Sequence, residues 1–162
     1  MNRKKGFTLI EMLIYMGLVA AFLVILSSLF TAILETQLDT QSRSALDQGG
    51  QYLLNRLSYD IRRADSVTVP ASIGNTGQQL TLMIDGVAYS YFLANQKVQL
   101  TVGSSTYTIT PFDLLISGFT VVRRGNSSGK PVIDISLSLT SLTTSLSEQP
   151  QIKDLNTSFQ IR

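Results

Sequence analysis

A long uncharged apolar run near the N-terminus constrains this chain more than any other feature. The run extends from Met12 to Leu34 and contains no charged residue. At about 1.5 Å rise per residue, a helix of this length is roughly 35 Å long, enough to cross a hydrocarbon core of about 30 Å. The basic residues Arg3, Lys4 and Lys5 precede the run, and such a flank favours the cytoplasmic side of a membrane. We therefore expect a single-pass cytoplasmic membrane protein whose N-terminus is cytoplasmic and whose remaining chain lies outside.

One carboxylate stands at the cytoplasmic boundary of this run. Glu11 lies within the same helical pattern, and a carboxylate at membrane depth costs about 2.5–3.5 kcal/mol on insertion scales unless it is paired. One interpretation is a boundary charge that reaches the lipid headgroups. The other requires a cation. If the chain is cut after Gly6, the new amine of Phe7 lies four residues before Glu11, on the same helix face. Amine and carboxylate could then neutralise each other, within one subunit or between neighbours.

The segment Gly-Phe-Thr-Leu-Ile-Glu, from Gly6 to Glu11, resembles the class III signal of type IV prepilins and type II secretion pseudopilins. The resemblance implies that residues 1–6 are a leader, which a membrane-embedded peptidase removes by cutting after Gly6. It also implies that the new amine of Phe7 is methylated and that Glu11 acts in filament assembly. An ordinary secretory signal is the alternative, and it would be cut after the apolar region instead.

Composition excludes several kinds of chemistry. The chain has no cysteine and no histidine, so disulfides, thiolate metal sites, His-ligated zinc and Ser-His-Asp catalysis are all excluded. The formal charge of +2 includes the three basic leader residues, so the basic character reflects membrane topology rather than nucleic-acid binding. We expect neither an enzyme nor a bound cofactor or metal. An exported enzyme with carboxylate-only or Ser-Lys chemistry is the remaining enzymatic alternative.

The helical pattern continues beyond the membrane run. Residues 35–65 carry apolar residues at three- or four-residue steps, the pattern of an amphipathic helix with one apolar stripe. We expect one long helix from Phe7 to about Ala64. Gly49 and Gly50 interrupt the pattern, and two glycines cost roughly 2 kcal/mol relative to alanines, which predicts a hinge, kink or local break there.

Charged residues cluster near the end of this helix. They are Arg56, Asp60, Arg62, Arg63 and Asp65. Pairing on the helix surface, with cations near the C-terminus complementing the helix dipole, is the simpler interpretation. An intersubunit salt bridge is the alternative.

After residue 66 the period of the pattern changes from that of a helix to two. Asp85-Gly86 between alternating apolar runs predicts a β-hairpin. Further alternating runs predict a mostly antiparallel sheet, with one face on the helix and the other nearer solvent. The expected fold class is therefore α+β: a long N-terminal α-helix packed on a β-rich head at residues 66–162, the architecture of pilins.

A basic loop extends from Arg123 to Lys130. A solvated hairpin loop is the simpler interpretation. Contact with DNA phosphate is the alternative, supported only weakly because three cations without interleaved aromatic residues make a poor nucleic-acid signature.

The segment from Tyr52 to Val67 resembles the leucine-rich helix, followed by Asp-Ile-Arg and alanine, of J-type minor pseudopilins and of W-type and competence minor pilins. The ending Phe159–Arg162 fits the terminal strand of that group. The resemblance implies a minor pilin or pseudopilin, in the J-type case one within an initiating tip complex. It divides the chain into a leader (1–6), a transmembrane assembly helix (7–34), an amphipathic helix (35–65) and the head.

The partners implied by the resemblance are other pilins or pseudopilins in a filament, a prepilin peptidase/methyltransferase and an inner-membrane assembly platform. Membrane lipid is the partner before assembly, and a cell-surface or periplasmic filament is the location afterwards. The alternative function is a membrane-anchored extracytoplasmic binding module, for example in DNA uptake, that does not polymerise.

Overall fold

The computed structural model describes residues 8–125, 130–142 and 150–161. It confirms the expected α+β architecture, with one N-terminal helix followed by antiparallel strands. The helix α1 spans Leu9–Arg63, and the strands are β1 (Ser66–Val69), β2 (Thr76–Gly77), β3 (Gln79–Ile84), β4 (Val87–Ala94), β5 (Lys97–Val102), β6 (Ser105–Thr108), β7 (Leu114–Arg124), β8 (Val132–Ser141) and β9 (Ile152–Gln160).

Helix α1 is one unbroken element with two different environments. Along the apolar run its residues are exposed, whereas from Ser42 onward one face is buried. The buried apolar residues Leu53, Leu57 and Ile61 follow the predicted stripe at steps of four, and Leu46 is buried in addition, seven residues before Leu53. The helix ends at Ala64, which adopts an extended conformation, and its N–H donates to the carbonyl of Ile61 at 3.3 Å.

The strands form two antiparallel sheets rather than the single sheet that the sequence predicted. Sheet A has the order β1-β3-β4-β5-β6, and sheet B has the order β2-β7-β8-β9. The single-sheet prediction is wrong because the short strand β2 pairs with β7, more than 40 positions later, with Thr76 opposite Val122 and Gly77 opposite Val121. Alternation along the chain predicts strands but not which distant strands pair.

Tight turns join the strands of sheet A, as predicted. The β3–β4 hairpin turns at Asp85 and Gly86, with φ of 49° and 77°. The next hairpin turns at Asn95 and Gln96, with φ of 51° and 56°. Positive φ at both central residues is the geometry that matches the twist of the flanking strands.

The apolar core lies where α1 meets both sheets. From sheet B, the alternate residues of β8 (Ile133, Ile135, Leu137 and Leu139) are all buried, on one face as predicted. From sheet A, the buried set includes Leu80, Leu82, Ile84 and Tyr91. The helix contacts β3, β7, β8 and β9, so the head is fastened to the helix by strands of both sheets.

Candidate functional site

The start of α1 positions Glu11. Thr8 is the N-cap residue, with φ −82° and ψ 152°, and its hydroxyl accepts a hydrogen bond from the Glu11 N–H at 3.3 Å. Thr-x-x-Glu is a capping-box sequence, in which the hydroxyl satisfies an amide that would otherwise have no partner in the first turn. The sequence prediction missed this cap, although its signal, Thr8 three residues before Glu11, is present in the sequence. Glu11 is thus held in the first turn, where a carboxylate also complements the helix dipole.

The other residues predicted for processing lie outside the described part of the chain. These are the leader residues Arg3, Lys4 and Lys5 and the cleavage-site residues Gly6 and Phe7. The pairing of the Phe7 amine with Glu11 therefore stays a prediction.

The apolar part of α1 is fully open in the isolated chain. This helix is long and apolar enough to cross a membrane, with a mean hydropathy of 2.5 over its most apolar stretch, none of which is buried against the rest of the chain. Large apolar side chains from Leu9 to Ile33 are about half exposed or more. A soluble protein rarely leaves such an apolar surface uncovered, so this half of the helix needs lipid or other helices around it.

Three hydroxyl groups within and just after the apolar run donate to carbonyls of the helix itself. Ser28 donates to the carbonyl of Ile25 at 2.8 Å, and Thr31 donates to that of Ser28 at 2.9 Å. Thr36 donates to the carbonyl of Ala32 at 2.9 Å. Because no polar group of these residues needs water, the second half of the run can lie in hydrocarbon or in a helix bundle.

Gly17 lies in the open part of the helix, where an added Cβ would meet nothing within 4 Å. The fold of the single chain therefore does not require a glycine at this position. Gly17, with Ala20 and Ala21, makes a stretch of small side chains, and small side chains permit close approach of neighbouring helices.

Gly49 and Gly50, for which the sequence predicted a hinge, have close packing neighbours in the head. Both are buried within the continuous helix. A Cβ on Gly49 would lie 2.1 Å from Cδ1 of Leu114, and one on Gly50 would lie 2.6 Å from Cδ1 of Leu155. The predicted local break is absent from the described helix. Because the two glycines have no side chains, two strands of sheet B can approach the helix closely. Bending at this point during assembly stays a prediction.

A buried ionic cluster joins α1 to sheet A. Asp60 has a fully buried side chain, and its Oδ2 lies 3.1 Å from Nε of Arg56, whose side chain is 38% exposed. The hydroxyl of Tyr91 on β4 donates to the same oxygen. The sequence analysis assigned Asp60 to surface pairing, which is wrong. The available signal was its position three residues after Leu57 and seven after Leu53, on the apolar stripe.

Burial and charge perturb two groups of this cluster. Burial raises the pKa of the Tyr91 hydroxyl, and its hydrogen bond to Asp60 and the charge of that carboxylate raise it further. For Arg56, burial lowers the pKa, but the hydrogen bond with Tyr91 and the charge of Asp60 outweigh it, so the pKa lies above its usual value. Arg56 therefore stays charged and the hydroxyl of Tyr91 stays protonated.

Two further charged residues near the helix end, Arg63 and Asp65, make local contacts. The guanidinium of Arg63 lies over the rings of Tyr59 and Tyr89, 5.2 and 5.9 Å from their centroids. Asp65 accepts a hydrogen bond from the backbone N–H of Asp85 at 2.9 Å.

Two of the three cations of the basic loop make contacts within the chain. Arg123 is half-buried and donates to the carbonyls of Val67, Pro70 and Ala71 at 2.9–3.2 Å. Arg124 forms an ion pair with Asp134. Residues 126–129 of the loop lie outside the described part of the chain. The hypothesis of a phosphate contact therefore loses most of its support. Among the described residues, no cluster of carboxylates has the arrangement of a metal site.

Comparison with known proteins identifies the N-terminus. Residues 1–27 match the family described as the prokaryotic N-terminal methylation motif. No curated protein matches the chain, and no solved structure does. The matched segment includes Gly6, Phe7 and Glu11, the positions carried by the resemblance to prepilins. The chain thus carries a prepilin-type processing motif, which implies processing by prepilin peptidase and assembly with other pilins, and its apolar helix fits a single-pass membrane anchor.

Proposed function

We propose that this chain, which carries the N-terminal methylation motif of type IV pilin-like proteins, is a minor subunit of a type IV pilus-like or type II secretion-like filament. The observation that carries the proposal is the helix α1. Its apolar stretch is not buried against the rest of the described chain, and the first part of the helix, from Leu9 to residue 27, lies within the matched motif. Such a helix serves as a lipid anchor before assembly and as the packing surface of a helix bundle afterwards.

The chain's own chemistry is that of a substrate. A prepilin peptidase cuts the bond between Gly6 and Phe7, and the new amine is methylated. The capping contact between Thr8 and the Glu11 N–H supports a first turn that presents the Glu11 carboxylate next to that amine. Assembly then moves α1 from lipid into a bundle in which helix packing replaces lipid contacts. The energy comes from a separate cytoplasmic ATPase.

Glu11 is expected to set the register of each new subunit. In the bundle its carboxylate pairs with the amine of Phe7, in its own chain or in a neighbour, because an unpaired charge at this depth costs about 2.5–3.5 kcal/mol or more. We infer a minor-subunit role in the tip complex from the resemblance of residues 52–67 to J-type pseudopilins.

The test is a Glu11→Ala variant compared with Glu35→Ala. Glu35 is the first charge beyond the apolar run and is exposed, so it controls for loss of a carboxylate on the same helix. Glu11→Ala is expected to be cut at Gly6-Phe7 but to be absent from sheared filaments, whereas Glu35→Ala is expected to be cut and assembled.

Efficient assembly of Glu11→Ala would contradict the proposed role of this carboxylate. Exchange of residues 7–34 for an unrelated transmembrane helix separates the filament from a non-polymerising binding module. Loss of function on exchange supports the filament, and full function on exchange would overturn it.

A further inference from the structure

A cleft lies between α1 and the outer strands of sheet A. The inner face of β5 is buried at Val98 and Leu100 and half-buried at Val102, whereas β6 is exposed. The resulting space has a volume of about 360 Å³. Its floor is apolar (Leu100, Val102 and Ile109), and its rim is formed by Tyr52, Arg56, Tyr89, Ser105 and Tyr107. Polar and apolar groups thus both line the cleft, which offers hydrogen-bonding groups beside apolar contacts.

One side of this cleft is an open strand edge. Among the described residues no strand lies beyond β6, whose four residues are all exposed. The strand Ser105–Thr108 contains no charge and no proline, two of the devices by which proteins protect an exposed edge. The short length of β6, four residues, is the feature that protects this edge from unspecific pairing.

The register shows which backbone groups face outward. The N–H of Ile109 donates to the carbonyl of Val98 at 3.1 Å, and Leu100 lies opposite Tyr107 in the same register. Because bonded and non-bonded pairs alternate in an antiparallel ladder, the N–H and C=O groups of Thr106 and Thr108 point away from β5. These groups form the free edge. The side chain of Tyr107 stands between them, on the side of the cleft.

We propose that this edge and cleft bind an extended segment of another protein, which adds as a further strand beside β6. The backbone of the segment would pair with Thr106 and Thr108, and alternate apolar side chains would enter the cleft. This mode of recognition takes affinity from main-chain hydrogen bonds and specificity from pockets for every second side chain. The proposal is independent of the filament role, since it concerns a surface of the head.

Charge favours a peptide over a single-stranded nucleic acid. Arg56 is the cation of the cleft, and it is already paired with Asp60. Lys97, at the start of β5, donates to the carbonyls of Pro111, Phe112 and Leu114. A nucleic-acid groove needs free lysine or arginine side chains along the backbone of its ligand, and β6 supplies none.

The test uses the full chain in detergent micelles and the peptide acetyl-Thr-Val-Thr-Val-Thr-amide as the probe. Backbone NMR is expected to show exchange of the Thr106 and Thr108 amides slowed at least tenfold at saturating peptide. The same peptide, N-methylated at alternate residues along its pairing edge, is expected not to bind. This second peptide tests the backbone pairing without any change to the protein.

Two proline variants provide the matched comparison. Thr108→Pro removes an outward donor from β6, and proline is tolerated on an edge strand where its nitrogen faces solvent. Asn156→Pro places the same residue at an exposed position of β9, the edge of sheet B. Thr108→Pro is expected to weaken peptide binding at least tenfold, and Asn156→Pro is expected to leave it unchanged.

Three results would overturn the proposal. The first is binding of the peptide and its N-methylated form with equal affinity. The second is a shift of the Tyr107 signals by an oligothymidylate probe but not by the peptide, which would assign the cleft to nucleic acid. The third is self-association of the chain that Thr108→Pro abolishes, which would assign the edge to a second copy.

Discussion

Removal of a single hydroxyl, in Tyr91→Phe, is expected to loosen the attachment of sheet A to the helix. The Tyr91 hydroxyl donates to Oδ2 of Asp60, whose side chain is fully buried. The other oxygen, Oδ1, is buried without a hydrogen-bond partner among the described residues. Loss of a donor to a buried charged acceptor costs about 1.5–3 kcal/mol, because the carboxylate gains no water in exchange.

The size of the effect can be measured by urea unfolding of the full chain in micelles. With a denaturant slope of about 2 kcal/mol per molar, the midpoint of Tyr91→Phe is expected to fall by about 1 M. The double variant Asp60→Leu/Tyr91→Phe is expected to be close to wild type, since apolar replacement of a buried ionic group is often neutral. In this double variant Arg56, which is partly exposed, can turn to solvent.

An unchanged midpoint for Tyr91→Phe would refute this reasoning, and so would a double variant less stable than the single one. The first result would mean that the hydroxyl contributes nothing to the buried carboxylate. The second would mean that the cluster stabilises the fold by itself, and that its polar groups do more than offset the cost of burying each other.

The remaining predictions concern alkaline pH, the two helix glycines and one lysine. The pKa of Tyr91 in the folded chain is raised above 10.0, so the contribution of its hydroxyl to the free energy of unfolding is full below pH 10 and is lost as pH rises through the folded pKa. The urea midpoint is therefore expected to fall above about pH 10 in wild type and to fall less in Tyr91→Phe. Equal falls of the midpoint in the two proteins would contradict this prediction. Gly49→Ala is expected to unfold at lower urea than Gly50→Ala, because the new methyl meets a fully buried leucine at the first position and a half-buried one at the second. Overpacking costs about 1–3 kcal/mol and the gain in helix propensity is about 1 kcal/mol, so the reverse order would count against close approach. Lys97→Met removes the donor to three carbonyls of the adjoining loop and is expected to speed chymotrypsin cleavage there, whereas an unchanged rate would show that the lysine does not hold the loop.

Local patterns in the sequence predicted the elements of this fold well. The long helix followed from the apolar run and the stripe after it, although its continuity at Gly49 and Gly50 did not, and the hairpin at Asp85-Gly86 followed from its turn residues. Both depend on neighbours within a few positions, where side-chain period and turn chemistry act directly.

Features that depend on distant partners could not be predicted in the same way. The pairing of β2 with β7 and the burial of Asp60 under Tyr91 join residues more than 30 positions apart. Gly49 and Gly50 illustrate the ambiguity, because a glycine pair indicates either a weak point in a helix or a close approach, and only the packing of Leu114 and Leu155 distinguishes the two. The motif at Gly6–Glu11 could be found from sequence because its residues are contiguous in the chain.

The most direct test of the proposed function is the intact mass and N-terminal sequence of the protein from membranes and from sheared filaments. The account predicts a mature chain that starts at N-methylated Phe7 and is present in sheared material at low stoichiometry relative to the main subunit. A chain with an uncut N-terminus, or one cut near residue 35 after the apolar run, would contradict it.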